Sequence, residues 1–257
     1  LTLNSTDQGL DKEGYIMTIG DSVKIEAEEA AGAYWGVISA LQILKQNKTT
    51  IPKGITRDYP KYEVRGFMLD VGRKSFDFNT VKEFAKNMAW YKMNNFHLHL
   101  SDNLIFLEDY PTMQEAIDNA YAGFRLESAI PNLTSKDTYY TKDEFRSFIK
   151  DSRNMGVNII PEFDMPAHAL AITRAFPNLM TKEAGGAHSY LIEELDIRKD
   201  GALEAAKSVW AQYLDGNDPV FDKDTTVHIG TDEFHGNGGN EYFRSFSDSM
   251  IKYIQGT

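Results

Sequence analysis

The sequence contains no cysteine, which excludes disulfide frameworks, thiolate nucleophiles and cysteine metal cages together. Long apolar runs are missing too: none approaches the roughly 18 residues that span a bilayer. The opening "LTLNSTDQG" has neither the basic region nor the apolar core of a signal peptide. Positive charge is scarce, with 27 Lys and Arg against 38 Asp and Glu and a net charge of -11. No basic cluster of the kind that binds phosphate backbones occurs, so neither a nucleic-acid partner nor a membrane span is expected. The compartment stays open, because the cytosol and the bacterial exterior both host cysteine-free chains.

What is present is an ordinary globular composition, 257 residues with 42% hydrophobic and 12% aromatic content, enough for one large domain or two small ones. Residues 14–25, "GYIMTIGDSVKI", read as two strands around a turn signal, and residues 26–46 as a helix. The stretch "NKTTIPKGITRDYPKYE", with two prolines and mixed charge, reads as a linker. After it the pattern becomes regular. Strands are expected at Val64–Asp70, Asn95–Ser101, Val157–Phe163 and Thr225–Gly230. Helices are expected at Phe78–Met93, at "TKDEFRSFIKDSRNMG" with Thr141 as cap and Gly156 as stop, at "DGALEAAKSVWAQYLD" and at "EYFRSFSDSMIKYI".

Four strand and helix units with strands too apolar to have a wet face predict a parallel sheet covered by helices. A doubly wound sheet and a (β/α)8 barrel both match that pattern. The polar residues decide for the barrel, because they fall at the C-terminal ends of all four strands, as barrel rims are built. Only about 195 residues follow the linker, against about 250 for a barrel, so four of eight units are expected. The expected class is therefore α/β: the first half of a (β/α)8 TIM-type barrel over residues 59–257, preceded over residues 1–58 by the end of a small α+β accessory domain plus linker.

Each rim segment also has an ordinary structural explanation. In "HLHLSDN", His97 and His99 share a strand face, a spacing that suits metal ligands and hydrogen-bonded core histidines alike. Glu162, Asp164 and His168 in "PEFDMPAH" fit a loop whose acids cap backbone N–H groups, and Asp70 with Arg73 fits a structural ion pair. In "TVHIGTDEFHG", Asp232 and Glu233 fit a turn or helix cap.

Taken in order, "VRGFMLDVGRK", "KMNNFHLHLSDN", "IIPEFDMPAH" and "HIGTDEF" resemble the first four barrel strands of the family 20 glycoside hydrolases, the β-N-acetylhexosaminidases and their lacto-N-biosidase relatives. The segment from "EGYIMTI" to "ALQIL" resembles the end of that family's accessory domain. The resemblance implies removal of terminal β-linked N-acetylglucosamine or N-acetylgalactosamine from glycans, with retention, through an oxazolinium intermediate formed by the substrate's own acetamido group. It implies Glu233 as general acid, Asp232 as the group that holds the acetamide, Arg65 as binder of the outer sugar hydroxyls, and Asp102 with His168 as a supporting pair. Asp70, His99, Glu162, Asp164 and His228 are further candidates around them. No cofactor and no metal are implied.

An acid that stays protonated near neutral pH needs a raised pKa, which an adjacent carboxylate and partial burial would provide. Many hexosaminidases continue the Ser-Asp pair with Asp-Gln-Gly-Trp-Arg, whereas this chain reads "NLIFLEDYPTMQEAIDNAYAGFRLES", which opens the alternative of a lacto-N-biosidase releasing a disaccharide. Because the family's tryptophan cage and acetamide-binding tyrosine lie on later strands, this chain alone is expected to be inactive or nearly so. Two rivals stand beside it. A metal-dependent amidohydrolase would draft His97, His99, His168, His228 and Asp232 but leaves Glu233 and Arg65 idle. A non-catalytic sugar-binding fragment is the other. A secreted or cell-surface bacterial setting is expected, with the cytosol as alternative, and bare edge strands favour self-association of the half barrel.

Overall fold

The computed structural model describes residues 1–3, 9–47, 50–181, 193–234 and 239–256. It divides into two compact units, one formed by Leu1–Gly66, Phe84–Asn95 and Asp151–Val157, the other by Phe67–Glu83, Phe96–Lys150 and Asn158–Thr257.

The first unit carries strands β1 (Tyr15–Ile19) and β2 (Val23–Ala27), helix α1 (Ala30–Asn47) and strand β3 (Gly54–Asp58). The expected hairpin is there, with Tyr15 opposite Ala27 and Ile19 opposite Val23. Helix α1 starts four residues later than expected because Glu26 and Ala27 complete β2 instead. The expected linker differs more: its centre pairs antiparallel with the free edge of β1, Tyr15 opposite Asp58. A three-stranded β2-β1-β3 sheet results. Backbone hydrogen bonding to an open edge outweighs the turn-prone composition of Gly54–Asp58, whose side chains stay largely exposed. Tyr15, Met17, Ile25 and Ala27 are buried, as are Ala33, Trp35 and Ile38 of α1, so the alternating strand pattern and one helical stripe form this unit's core.

Next along the chain come β4 (Gly66–Asp70), α2 (Phe78–Trp90), β5 (Asn95–His99), β6 (Ser101–Leu104), α3 (Met113–Asn119), β7 (Tyr121–Phe124), α4 (Lys142–Asn154), β8 (Asn158–Glu162), α5 (Leu170–Ala175), α6 (Ala202–Leu214) and α7 (Gly239–Gln255). Strands β4, β5 and β8 form one parallel sheet in that order. Their C-terminal ends stay in step: Val71 and Gly72 N–H donate to His99 O, and Leu100 N–H donates to Glu162 O. Helix α4 begins with the reciprocal cap expected at Thr141. Glu144 N–H donates to Thr141 Oγ1 at 3.2 Å, and Thr141 N–H donates to Glu144 Oε2 at 3.1 Å. Gly156, with φ 75°, follows the helix as its stop.

Two features depart from the expected barrel units. The long second connection contains a hairpin, β6 paired with β7, Asp102 opposite Gly123. A Cβ on Gly123 would lie 2.1 Å from Gly72 O, so only glycine lets β7 come this close to the end of β4. The expected fourth strand is reduced to one parallel bridge, Glu162 to His228, with His228 N–H donating to Pro161 O at 2.9 Å. Pro161 has no N–H to extend the ladder, and Gly230, at φ 74°, turns the chain two residues later.

Candidate active site

The ends of β4, β5, β6 and β8 and the 228–232 segment surround a cavity of about 330 Å³ lined by Arg73, His99, Asp102, Glu162, Asp164 and Asp232, among others. That volume suits a small ligand. Asp102, the second residue of β6, is 1% exposed and receives four donors. Asn103 N–H and His168 Nδ1 reach Oδ1 at 2.7 and 3.1 Å, while His99 Nε2 and Arg73 Nη2 reach Oδ2 at 2.6 and 2.8 Å. Burial alone would raise its pKa, but the bonds from His168 and His99 hold it down to about 2.

Glu162, the last residue of β8, collects three imidazoles: His97 at 2.9 Å and His99 at 2.5 Å on Oε2, and His228 at 2.8 Å on Oε1. These donors outweigh burial and keep its carboxyl well below the ordinary range. His99 is pulled down by burial but pushed up further by Asp102 and Glu162, to about 10. His168, bonded to Asp102, is pushed up to about 9. Its Nε2 meets Glu233 Oε2 at 3.2 Å.

The turn that presents the acids is built from strained backbone. Gly230, Thr231 and Glu233 have φ of 74°, 87° and 43°, a region that costs about 1–2 kcal/mol for a residue with a side chain. Asp164 holds this turn, since its Oδ1 accepts from Thr231 N–H at 2.7 Å and Asp232 N–H at 3.4 Å. A Cβ on Gly230 would sit 1.9 Å from that oxygen, so glycine is required twice over. Burial pushes Asp164 itself up to about 6. The partial burial expected around Glu233 is not observed, for its side chain is 68% exposed. His235 and Gly236, which end the acidic stretch, lie outside the described residues.

Asp70, His99, Asp102, Glu162, Asp164, His168, His228, Asp232 and Glu233 are thus brought together. Arg65 is not. It does not line this cavity, and its guanidinium is consumed within the first unit by Glu13 Oε2 and by the carbonyls of Lys92 at 2.7 Å, Tyr62 at 2.9 Å and Glu63 at 3.3 Å. The reason is positional: Arg65 precedes β4, whereas the cavity is assembled where the strands end. The cation at the cavity is Arg73, paired with Asp70 at 3.0 Å and Asp102 at 2.8 Å. The signal for it was its place just past the end of β4, beside Asp70. Replacing Arg65 with Ala should cost about 2–3 kcal/mol in urea unfolding, the scale of lost charge-assisted hydrogen bonds. A loss under about 1 kcal/mol would mean that these bonds do little to hold the first unit together.

Three sets of side chains stand close enough to share a cation among the described residues: His97, Glu162 and His228; Asp70, His99 and Asp102; His99, Glu162 and Asp164. In each, imidazole nitrogens already face carboxylates at hydrogen-bond distance, so a metal would have to displace those protons.

Residues 62–249 match the family model described as glycosyl hydrolase family 20, catalytic domain, and residues 1–59 match the same family's domain 2. The chain belongs to glycosyl hydrolase family 20. Its family 20 relatives include a β-hexosaminidase of Vibrio furnissii, 27% identical over 238 residues that cover 89% of this chain and 38% of that protein. A lacto-N-biosidase of Bifidobacterium bifidum is 25% identical, covering 91% and 19%. Among solved structures, Flavobacterium johnsoniae chitobiase superimposes with a TM-score of 0.73 at 26% identity, over 95% of this chain and 38% of that one. A mutant Streptomyces plicatus β-hexosaminidase bound to its product GlcNAc gives 0.72 at 25% identity, over 98% and 51%. The chain spans about half or less of these relatives. The family 20 fold, a TIM-barrel catalytic domain, is the one whose first units the parallel sheet represents.

The rim's charges set a pH dependence. His168 and His99 are raised, so their stabilisation is complete below the ordinary histidine value of 6.5 and is lost as pH rises through about 9 and about 10. Asp102 is lowered, so its contribution is present above 3.8 and is lost as pH falls through about 2. Asp164 is raised to about 6, so its contribution is complete below 3.8 and is lost as pH rises through about 6. The thermal unfolding temperature should be highest near about pH 4 to 5 and drop by several degrees by about pH 9.5. A flat calorimetric Tm across that interval would contradict the assignment.

Proposed function

We propose that the protein carrying this sequence is a retaining, exo-acting glycosidase that removes terminal β-linked N-acetylhexosamine from glycans. The observation that carries the reading is the adjacent pair Asp232–Glu233 on the strained rim turn, with His168 and buried Asp102 behind Glu233. Glu233 donates a proton to the glycosidic oxygen. The acetamido oxygen of the sugar attacks the anomeric carbon as the aglycone leaves, forming an oxazolinium ion that water then opens while giving a proton back to Glu233, so configuration is retained. Family 20 stands among the exceptions to the two-carboxylate scheme for this reason. Asp232 faces the developing positive charge on the acetamide nitrogen, an electrostatic task for a fixed carboxylate. Arg73 takes the anchoring part first expected of Arg65: its guanidinium is oriented by Asp70 and Asp102 and lines the cavity.

Likeness to a lacto-N-biosidase and the unusual chain after Asp102 support a second reading, release of a Gal-GlcNAc disaccharide. Assay of the protein with a nitrophenyl β-N-acetylglucosaminide and with a lacto-N-biose analogue separates the two. Preference for the disaccharide selects the biosidase, and cleavage of neither sinks both. Glycan polymers do not cross membranes, which supports a secreted or cell-surface site of action. A net charge of -11 argues against a nucleic-acid partner. The exposure of Phe67 (40%) and Met68 (51%) on β4 supports self-association, which sedimentation at rising concentration tests.

A further inference from the structure

His99 and Glu162 are buried ionisable residues that the proposed chemistry does not use. Their geometry fixes their charge. Asp102 accepts from the Asn103 N–H and the Arg73 guanidinium, which can only donate, and Glu162 lies among imidazoles that hold its carboxyl below the ordinary range. An ionised carboxylate accepts and cannot donate. His99 stands between the two, with Nδ1 2.5 Å from Glu162 and Nε2 2.6 Å from Asp102. A neutral imidazole has one N–H and one lone pair, and the lone pair would then face a carboxylate oxygen at contact distance. Both nitrogens of His99 therefore carry protons.

The same rule fixes His168. Its Nδ1 must donate to Asp102, which leaves Nε2 as the exchangeable position opposite Glu233. A continuous chain results, Glu233–His168–Asp102–His99–Glu162, with steps of 3.2, 3.1, 2.6 and 2.5 Å. Its far end is tied through His228 to the segment that carries Asp232 and Glu233.

We propose that His99 is a positioning residue for the acid: an imidazolium throughout the neutral range, anchored by Glu162, that cancels part of the charge of Asp102 and so limits how tightly His168 holds its own proton. The proposal rests on Glu233 being the acid. The charged groups around His168 are Asp102, Arg73, Glu233, Asp164 and Glu193, and the titratable and charged groups around His99 are Asp102, Glu162, Asp70, Asp164, Arg73, His97 and His228. Asp102 belongs to both sets, and His99 is the cation that joins it to Glu162. Without it, Asp102 keeps Arg73 as its remaining cation besides His168 and pulls harder on that imidazole. His168 then stays charged to higher pH, and its Nε2 faces Glu233 as a cation over a wider pH range.

Nitrogen-15 spectra of the histidine rings in the intact chain test this. Both ring nitrogens of His99 should show the protonated shift throughout pH 6 to 8, and His99→Gln should move the titration midpoint of His168 upward by about one unit, the size of a nearby-charge effect. A neutral His99 at pH 7, or a His168 midpoint that stays put or falls in the variant, overturns the proposal. Should His99→Gln not fold, the measurement on the unaltered chain decides alone. Neither readout requires turnover. A protein that cleaves no hexosaminide but shows a doubly protonated His99 defeats the activity and keeps the charge assignment, whereas an active protein with a neutral His99 does the reverse.

Discussion

Glu233→Gln should lower kcat/KM for natural glycans by about 10²- to 10⁴-fold, the usual contribution of a positioned general acid. The loss should depend on the leaving group. A sugar hydroxyl cannot depart without a proton, so the full factor is lost, whereas an acidic nitrophenol departs unaided and retains most of its rate in the glycosylation step. Asp232→Asn should behave differently, because the carboxylate acts on the acetamide whatever the aglycone and its removal slows all substrates alike. Rates across a series of aryl N-acetylglucosaminides, plotted against phenol acidity, make the distinction: a steep slope for Glu233→Gln and an unchanged slope for Asp232→Asn. Equal losses for all aglycones in Glu233→Gln would remove Glu233 from the acid's role. A covalent sugar adduct on either residue would remove the substrate-assisted mechanism.

The elements that carry the site were largely legible because their signals are local. Short apolar runs and turn signals marked β1, β2, β4, β5 and β8, and the Thr141–Glu144 box and Gly156 bounded α4. The failures are non-local. β3 exists only because β1 offers an open edge, and nothing in "GITRD" announces that partner. Pairing of β6 with β7 depends on Gly72 and Gly123 meeting from distant parts of the sequence. The fourth strand is cut to one bridge by a proline on the neighbouring strand. Arg65 was matched to the right motif and the wrong end of its strand. Arg73, eight positions on, reaches the cavity because the chain has by then passed the end of β4. Residue types at the rim were readable from sequence, but the count of donors on Asp102 and Glu162 was not, since it requires four separate segments to converge.

That donor count gives the largest expected stability change. Asp102→Asn is close to isosteric, yet it should destabilise the chain by about 3–5 kcal/mol, the range for removing one partner from a buried ionic cluster. Each oxygen of Asp102 receives two donors. An amide has one acceptor oxygen and one NH2 group, so either rotamer turns donors toward donors: against His99 and Arg73, or against Asn103 N–H and His168. Two donor pairs cannot be relieved by flipping, and the charge that keeps His99 and His168 protonated is gone as well. Arg73, 38% exposed, has water as an alternative partner, but His99 at 8% does not, so most of the penalty falls on the imidazoles. In a chain of this size the loss corresponds to about 10 °C or more in Tm. It should shrink as pH rises through the raised values of His168 and His99: at about pH 10, where the wild-type imidazoles are losing their protons, the gap between variant and parent should narrow. Urea unfolding at about pH 6 and pH 10 measures both values, and a penalty under about 1 kcal/mol at pH 6 would mean that the ionised cluster is not what holds the rim together.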